Sequence, residues 1–311
     1  MASSVIVLGS INTDLVVRGN RLPRPGETVL GDEFFQAAGG KGANQAVAAA
    51  RLATDPVTFI GAIGDDELGR QALSGLAREN MTTDYIKVAS SQASGVALIM
   101  VDAVGENCIS VAPGANHCFL PEDVERVPDE AFAKASVFLA CLESPLPTVA
   151  AGLRRAKAFG LTTILNPGPA SAELVAHEML ADVDVITPNS AEASALSDVV
   201  VADRASATAA ARQLQQRSAL KVIVTLGSAG AMVIEDDSHF VPAVAADSID
   251  TTAAGDAFNG ALAVALAEGR SLKQAARMAA IVAGASVSRR GAQPSLPARH
   301  ELPGSWQAVS G

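Results

Sequence analysis

The sequence predicts an α/β fold, a doubly wound and mostly parallel sheet flanked by helices. Short apolar runs alternate with longer helical stretches along the 311 residues, and this alternation is typical of parallel sheets with crossover helices. Most of the apolar runs are continuous, as expected for strands that are covered on both faces. Aromatic residues make up only 4% of the chain, and a core of Ala, Val, Leu and Ile suits helices packed closely on such a sheet.

The predicted elements follow one another at regular intervals. The strands are predicted over residues 5–8, 57–63, 137–142, 162–165, 184–187, 222–226, 231–234 and 239–244. The helices are predicted over residues 43–52, 66–79, 148–159, 205–217, 256–267 and 272–288. In the helix at 256–267, Phe258, Ala261, Leu262 and Ala265 recur at helical spacing and form one apolar stripe.

Two regions break this rhythm. Residues 12–36 contain a strand-like piece, a turn and a second extended stretch, whereas residues 94–112 have the pattern of a hairpin with its turn at 104–107. Together they predict a small second sheet that stands off the main body. No linker is long enough to separate two independent domains, so residues 1–311 are expected to form a single domain.

The charge and the cysteine content narrow the class of function. The formal net charge is −10, from 33 acidic and 23 basic residues, so the chain is expected to repel nucleic acids and anionic membranes. No apolar run is long enough to span a bilayer, and the first residues lack the basic start of a signal peptide. Cys108, Cys118 and Cys141 show no paired spacing and are expected to be reduced thiols of a cytoplasmic protein.

Two familiar nucleotide-binding motifs are missing from the sequence. Lys41 follows two glycines but is itself followed by Gly42, so there is no P-loop. The first strand also lacks the glycine pattern of dinucleotide-binding proteins. A zinc site is not expected either, because the four histidines are far apart.

The strongest local signal is DTTAAGDAFNG at residues 250–260. The small residues Ala253, Ala254 and Gly255 would let backbone N–H groups at a helix start approach an anion closely. Asp256 beside such an anion hole suits the deprotonation of a hydroxyl that attacks a phosphoryl group. The alternative is that Asp256 only caps the helix and favours its dipole.

A second signal is GGKGANQA at residues 39–46. Its glycines permit close backbone approach, Lys41 supplies a charge, and Asn44 supplies both donors and acceptors for a polyhydroxylated ligand. The alternative is a glycine-rich helix start with a surface lysine.

Polar residues also follow the predicted strands, where ligands bind in α/β folds. Asn12, Thr13 and Asp14 follow the first strand, and Glu143 follows a later one; an Asx-turn is the alternative for the first group. Asn189 and Glu192 follow a third strand, with a capping box as the alternative. Residues 225–230 could approach a nucleotide phosphate or simply form a hairpin, and the loop at 288–295 could present carbonyl groups to a cation.

Together these segments resemble the PfkB family of carbohydrate kinases, and most closely its ribokinase members. GGKGANQA is similar to the N-terminal signature of the family, and DTTAAGDAFNG to its C-terminal signature. The shorter stretches GSINTD, LESP, TPN, TLGSAG and GAQPS are similar in the same order along the chain. The similarity runs from about residue 5 to residue 297, nearly the whole chain.

The resemblance implies ATP-dependent phosphorylation of D-ribose at its 5-hydroxyl. Asp256 would be the general base, and Ala253, Ala254 and Gly255 would form the anion hole. The residues implied to hold the sugar are Asn12, Thr13, Asp14, Gly40, Lys41, Gly42, Ala43, Asn44, Glu143 and Asp256. The residues implied to line the nucleotide are Asn189, Thr225, Leu226, Gly227, Ser228, Ala229, Gly230, Gly255 and Asp256.

The resemblance also implies two metal ions and a dimer. Glu192 would act on Mg²⁺ through water. Potassium would be held, partly through backbone carbonyls, by Asp250, Thr252, Ser286, Arg289, Gly291 and Ser295. The regions at 12–36 and 94–112 would form a lid over the sugar and the contact of a homodimer. Ala280 stands where such enzymes can carry His beside the nucleotide.

Other functions stay open at this point. A kinase of the same fold could act on fructose, 2-keto-3-deoxygluconate or a nucleoside, and a non-catalytic sugar-binding protein could use the same scaffold. GGKGANQA and LESP favour ribose, whereas Asp256 and its turn favour catalysis over binding alone.

Overall fold

Two β-sheets organise the computed structural model, which describes residues 4–171, 173–174, 178–217 and 220–307. The strands of these residues are β1 (Ser4–Leu8), β2 (Asn12–Arg18), β3 (Glu33–Gly39), β4 (Val57–Gly64), β5 (Met81–Ala89), β6 (Gly95–Val101), β7 (Asn107–Ala112), β8 (Ala135–Cys141), β9 (Thr162–Asn166), β10 (Val185–Ile186), β11 (Lys221–Thr225), β12 (Ala231–Ile234) and β13 (Ser238–Val241).

The larger sheet has nine strands in the order β13-β12-β11-β10-β9-β8-β1-β4-β5. All its neighbouring pairs are parallel except the two that involve β12. The predicted doubly wound, mostly parallel fold is therefore confirmed. The strand β5 at one edge was not predicted.

Helices cover both faces of this sheet. The α-helices of the described residues are α1 (Lys41–Leu52), α2 (Glu67–Leu76), α3 (Pro121–Glu125), α4 (Asp129–Ala133), α5 (Leu146–Ala158), α6 (Ser190–Ser197), α7 (Arg204–Arg217), α8 (Ala254–Ala267), α9 (Leu272–Ser286) and α10 (Gly304–Gln307). None of them is long and apolar enough to cross a membrane.

The continuous apolar strands pack into two hydrophobic cores, one on each face of the sheet. In β1, Val5 and Val7 pack into the core that contains α1, α8 and α9, whereas Ile6 and Leu8 pack into the core that contains α5, α6 and α7. Successive side chains of a strand point to opposite faces, so a strand between two cores needs no polar alternation.

The smaller sheet has four strands in the order β3-β2-β6-β7, with β2 and β6 parallel and the other pairs antiparallel. We call it the lid sheet. Its strands come from the two segments that broke the strand–helix rhythm, although β3 runs to Gly39, three residues beyond the predicted boundary at 36. The beginning of β2 and the end of β3 lie beside the start of α1, so the lid sheet borders the ends of the main strands.

Candidate active site

The site forms where β1, β8 and β9 end and where α1 and α8 begin. Two glycines bring these pieces together. Gly40 has a φ of 88°, a conformation that favours glycine, immediately before α1. A Cβ on Gly42 would lie 2.4 Å from the carbonyl carbon of Gly9, so the helix start and the end of β1 approach as closely as their backbones allow.

Asp256 lies in the first turn of α8 and is only 6% exposed. Its Oδ2 accepts a hydrogen bond from Asn44 Nδ2 at 3.0 Å, and its Oδ1 accepts one from Gln45 Nε2, also at 3.0 Å. Burial raises the pKa of this carboxyl, while the charge of Lys41 and the two amide hydrogen bonds oppose the rise. The result is a buried, oriented carboxyl group that can accept a proton.

The turn before Asp256 presents backbone donors. Ala253 adopts a φ of 60°, a left-handed conformation that costs a non-glycine residue about 1–2 kcal/mol. The N–H of Ala254 donates to Thr251 O at 3.2 Å. Within the described part of the chain, the N–H groups of Gly255 and Asp256 have no hydrogen-bond acceptor. These groups at a helix N-terminus are the donors that can receive an anion.

Glu143 joins three segments of the site. Its Oε2 accepts hydrogen bonds from Ser10 Oγ at 2.5 Å and from the Lys41 backbone N–H at 3.0 Å. Burial lowers the pKa of the Lys41 ammonium group, but the carboxylates of Asp256 and Glu143, with smaller effects of Cys141 and Glu192, raise it above its ordinary value overall. Lys41 is therefore a fixed positive charge among carboxylates.

The lid sheet adds Asn12 and Asp14 to the same cleft. Asn12 is buried, and its Oδ1 accepts a hydrogen bond from Asn116 Nδ2 at 2.8 Å. The Asp14 carboxylate lies over Gly39, because a Cβ there would lie within 2.4 Å of Oδ2. Burial, followed by the charges of Glu143 and Asp256, raises the pKa of Asp14 to about 6.

Thr13 lies apart from this group. It is between Asn12 and Asp14 in β2, so its side chain points to the opposite face of the lid sheet. There it lines a cavity of about 250 Å³ with residues of β3 and α2. The structure thus brings the Asn12, Asp14, Lys41, Asn44, Glu143 and Asp256 side chains together, whereas the Thr13 side chain points away from them. Asn12 and Ala43 are also part of the wall of that other cavity.

A second cavity, of about 450 Å³, lies on the other side of the Gly255 turn. It is mostly apolar, and Ala280 lies in its wall. Of the residues predicted for the nucleotide, the ones that line it are Thr225, Gly227, Ser228, Gly230 and Gly255. Leu226 and Ala229 belong to the same turn, which leads from β11 into the antiparallel strand β12. The turn is therefore both a hairpin and a wall of the cavity.

Asn189 and Glu192 form the capping box that was the alternative for them. The Glu192 N–H donates to Asn189 Oδ1 at 2.8 Å, and the Asn189 N–H donates to Glu192 Oε2 at 2.9 Å. The other oxygen, Oε1, faces the cleft, since a Cβ on Gly168 would lie 2.7 Å from it and 3.2 Å from Lys41 Cε. Capping and a role in the cleft are thus compatible for Glu192.

The segments predicted to hold potassium are in contact through Asp250. Its Oδ1 accepts hydrogen bonds from the Thr252 N–H at 2.9 Å and the Thr252 hydroxyl at 2.6 Å, and its Oδ2 accepts one from the Gly291 N–H at 2.9 Å. Ser295 is fully buried and its hydroxyl donates to Ala292 O at 2.8 Å, so the hydroxyl oxygen keeps its lone pairs. Burial raises and these hydrogen bonds lower the pKa of Asp250, which is lowered overall.

Two other predicted ligands lie at the end of α9. Ser286 is buried, and its carbonyl accepts the Arg289 N–H at 3.0 Å, whereas the Arg289 guanidinium pairs with Glu301 at 2.8 Å and faces away. One carboxylate with hydroxyl and carbonyl oxygens is a donor set that fits a large monovalent cation better than Mg²⁺.

Sequence reasoning missed several residues of the site. Ser10 follows β1 and Asn166 is the last residue of β9, so the rule that singled out Asn12 and Glu143 could have found them. Gln45 lies inside the GGKGANQA motif but was not singled out. Asn116 is in a short 3₁₀ helix far along the chain, and no sequence signal connects it with Asn12.

A buried carboxyl between a polar cleft and an apolar cavity, with free N–H donors beside it, is the arrangement of an enzyme that transfers phosphoryl groups to a small hydroxylated molecule. The chain belongs to the PfkB family of carbohydrate kinases, whose family model matches residues 2–299.

Known proteins are similar over almost the whole chain. The ribokinase of Haemophilus influenzae is 41% identical over 302 residues, which cover 97% of each chain. A deoxyribokinase of Salmonella typhi is 34% identical and covers 94% of this chain and 95% of its own. The structure of Arabidopsis thaliana ribokinase complexed with ribose and ATP is 30% identical, with a TM-score of 0.86 over 99% of both chains.

Proposed function

We propose that the protein transfers the γ-phosphoryl group of ATP to the 5-hydroxyl of D-ribose, giving ADP and ribose 5-phosphate. The similarity to ribokinases supports the substrates, since one such relative is known with ribose and ATP bound. The observation that carries the chemistry is the position of Asp256, buried at a helix start between the polar cleft and the apolar cavity of about 450 Å³.

The polar cleft holds the sugar in this proposal. Asn44 gives its amide N–H to Asp256, while its Oδ1 is buried and has no hydrogen-bond partner among the described residues. A buried acceptor without a donor is costly, and a sugar hydroxyl would satisfy it. Asp14 and Glu143 supply further acceptors, and Lys41 supplies a donor.

The chemical step needs a general base, hydrogen-bond donors that stabilise the developing negative charge, and the exclusion of water. Asp256 takes the proton of the 5-hydroxyl as its oxygen attacks the γ-phosphorus, and ADP leaves on the opposite side. The N–H groups of Gly255 and Asp256 stabilise the charge that gathers on the transferred group. The lid sheet covers the sugar and limits the hydrolysis of ATP by water.

An ADP-release assay on a panel of substrates tests this function. The panel contains D-ribose, 2-deoxy-D-ribose, D-fructose, 2-keto-3-deoxygluconate and inosine. We expect the highest kcat/KM with D-ribose. A higher value with another member of the panel would assign the protein to that substrate while leaving the kinase chemistry in place, and no turnover with any of them would contradict the proposal.

The cleft fits magnesium as a companion of ATP. Mg²⁺ keeps several waters and binds through few carboxylates together with substrate phosphates, and Glu192 Oε1 offers one carboxylate oxygen at the cleft. Glu192 would hold the ion through water. When bound, the ion neutralises charge on the phosphates.

Potassium is expected to activate the enzyme through the loop that contains Asp250. The cation would fix the loop that leads into the anion-hole turn and so hold the backbone N–H donors of that turn in place. Turnover falls when such donors are poorly placed. Turnover is expected to rise about tenfold with added potassium and then saturate. Tetramethylammonium at equal ionic strength is the control, and the dependence should be lost in Asp250→Ala. A flat potassium titration of the unmutated protein would rule out the site.

A homodimer through the lid sheet is part of the proposal. On the face opposite Asp14, the lid sheet exposes four large apolar side chains, Val17, Phe34, Leu98 and Met100. The register places them side by side on neighbouring strands. Exposed apolar patches of this kind mark protein–protein contacts, and a second copy of the lid sheet offers a matching surface.

Leu98→Asp is expected to convert the dimer into a monomer, because Leu98 is 53% exposed in the patch and burying an unpaired charge is costly. Sedimentation velocity at micromolar concentration measures the change. Val200→Asp is the matched control, since Val200 is 81% exposed on the main body. A monomeric unmutated protein would contradict this contact.

A further inference from the structure

Gln45 is a buried polar side chain at the site to which no role has been given above. It follows Asn44 in α1 and is 0% exposed. A Cβ on Gly260 would lie 2.7 Å from Gln45 O, so α1 and α8 pack with almost no space between their backbones. This close packing brings the Gln45 amide to the carboxyl group of Asp256.

The amide nitrogen of Gln45 has two acceptors. It donates to Asp256 Oδ1 at 3.0 Å and to Asn166 Oδ1 at 3.1 Å. Its oxygen, Oε1, is buried and has no hydrogen-bond partner within the described ranges. A buried oxygen without a partner costs about 1–3 kcal/mol, so the amide is held at the site by the two hydrogen bonds of its nitrogen.

Chemistry fixes which way this amide faces. Asn166 Nδ2 donates to the backbone carbonyl of Thr187 at 3.1 Å, so Asn166 Oδ1 must face Gln45. The Asp256 carboxylate is also an acceptor. Only the nitrogen of Gln45 can face both groups. The Thr187 carbonyl thus sets the orientation of the Asn166 amide, which sets that of the Gln45 amide beside the Asp256 carboxyl.

The side chain of the same residue, Thr187, anchors the anion-hole turn. The Thr187 hydroxyl donates to Asn259 Oδ1 at 2.6 Å, and Asn259 Nδ2 donates to Gly255 O at 2.8 Å. The carboxyl of Asp256 and the peptide of Gly255 are thus both linked to the end of β10 by hydrogen bonds.

We propose that Gln45 is a positioning residue for phosphoryl transfer, which fixes the Asp256 carboxyl relative to the anion-hole turn; this inference rests on the function proposed for Asp256. Without the Gln45 N–H, the carboxyl group loses one of its two oriented donors and can rotate about its terminal bond. Small misplacements of a catalytic group cost turnover rather than binding.

Gln45→Met tests the inference, because methionine has a similar length but no donor. We expect kcat to fall roughly 10²-fold, while the KM values for D-ribose and ATP stay within about threefold. Thr148→Val is the matched control, since Thr148 is buried and its hydroxyl bonds Phe119 O at 2.7 Å away from the site. It should lose stability and keep kcat. An unchanged kcat in folded Gln45→Met would overturn the proposal.

Asp256→Asn in the same assay separates the positioning role of Gln45 from the general-base role of Asp256. If Asp256→Asn is inactive and Gln45→Met is fully active, the role of Gln45 is wrong and that of Asp256 stands. If Asp256→Asn is active, the assigned base itself is wrong.

A measurement on unmutated Gln45 decides the case in which Gln45→Met does not fold. With ¹⁵N-labelled glutamine, the side-chain N–H signals of Gln45 should exchange slowly with solvent and shift in Asp256→Asn, and the signals of exposed Gln36 should do neither. Rapid exchange of the Gln45 signals would overturn the proposal.

Discussion

Asp256→Asn is expected to lower kcat by about 10²–10⁴-fold, the range typical of a lost general base. The asparagine side chain has nearly the same shape but cannot take the proton of the attacking hydroxyl. Ribose binding, measured by calorimetry, should change little, because Asp14, Asn44 and Glu143 remain.

A matched control separates catalysis from helix capping. Asp203 lies just before α7, and its Oδ1 accepts a hydrogen bond from the Ser206 N–H at 2.8 Å. Asp203→Asn removes a carboxylate from a helix start outside the site, so it should change stability little and leave kcat unchanged. If both variants keep their kcat, Asp256 is only a capping residue.

Asp14→Ala is expected to weaken ribose binding about 10–150-fold, which corresponds to the 1.5–3 kcal/mol of a charged hydrogen bond. ATP affinity should barely change, because Asp14 lies in the lid sheet on the sugar side. Asp32→Ala removes the same charge from an exposed position just before β3 and should leave ribose affinity intact. Unchanged ribose binding in Asp14→Ala would remove Asp14 from the sugar site.

Because the pKa of Asp14 is raised, both ribose affinity and protein stability should depend on pH through this residue. Below about 6 its carboxyl is protonated, and sugar hydroxyls lose a charged acceptor, so ribose affinity should fall as the pH falls through this value. The stability of the unliganded protein should change in the opposite direction. Its folded-state pKa lies above the ordinary 3.8, so the Asp14 contribution is largest at low pH and is lost as the pH rises to about 6.

The main sheet could be predicted because its strands are buried on both faces. In β4 all eight residues are buried, and seven of the eight, all but Thr58, are apolar residues or glycine, the pattern expected for a strand covered on both faces. The edge strand β5 contains Thr82, Asp84 and Lys87 and is mostly not buried, so it has no such run. Edge strands face solvent on one side and give a weak signal.

The site could be predicted in part for a similar reason. Asp256, Lys41 and Glu143 lie at strand ends or helix starts, and the rule that ligands bind there is local in sequence. The hydrogen bond of Gln45 to Asp256 joins residues 211 positions apart. Such a pairing depends on how α1 packs on α8, and no local pattern contains that information.

The direction of the Thr13 side chain follows from the alternation of side chains along a strand. Asn12, Thr13 and Asp14 form one polar group after β1 in the sequence, but they begin β2 itself. Successive residues of a strand point to opposite faces, so of these three residues only Asn12 and Asp14 can share the face that lies over the polar cleft.

The product formed from an equimolar mixture of D-ribose, 2-deoxy-D-ribose, D-fructose and inosine with ATP tests the central claim most directly. Phosphorus and carbon NMR of the mixture identify both the sugar and the hydroxyl that carry the phosphate. The structure and the family together predict D-ribose 5-phosphate as the main product of the unmutated protein, and almost none of it with Asp256→Asn. Phosphate on another hydroxyl of ribose, or mainly on another member of the mixture, would contradict the account.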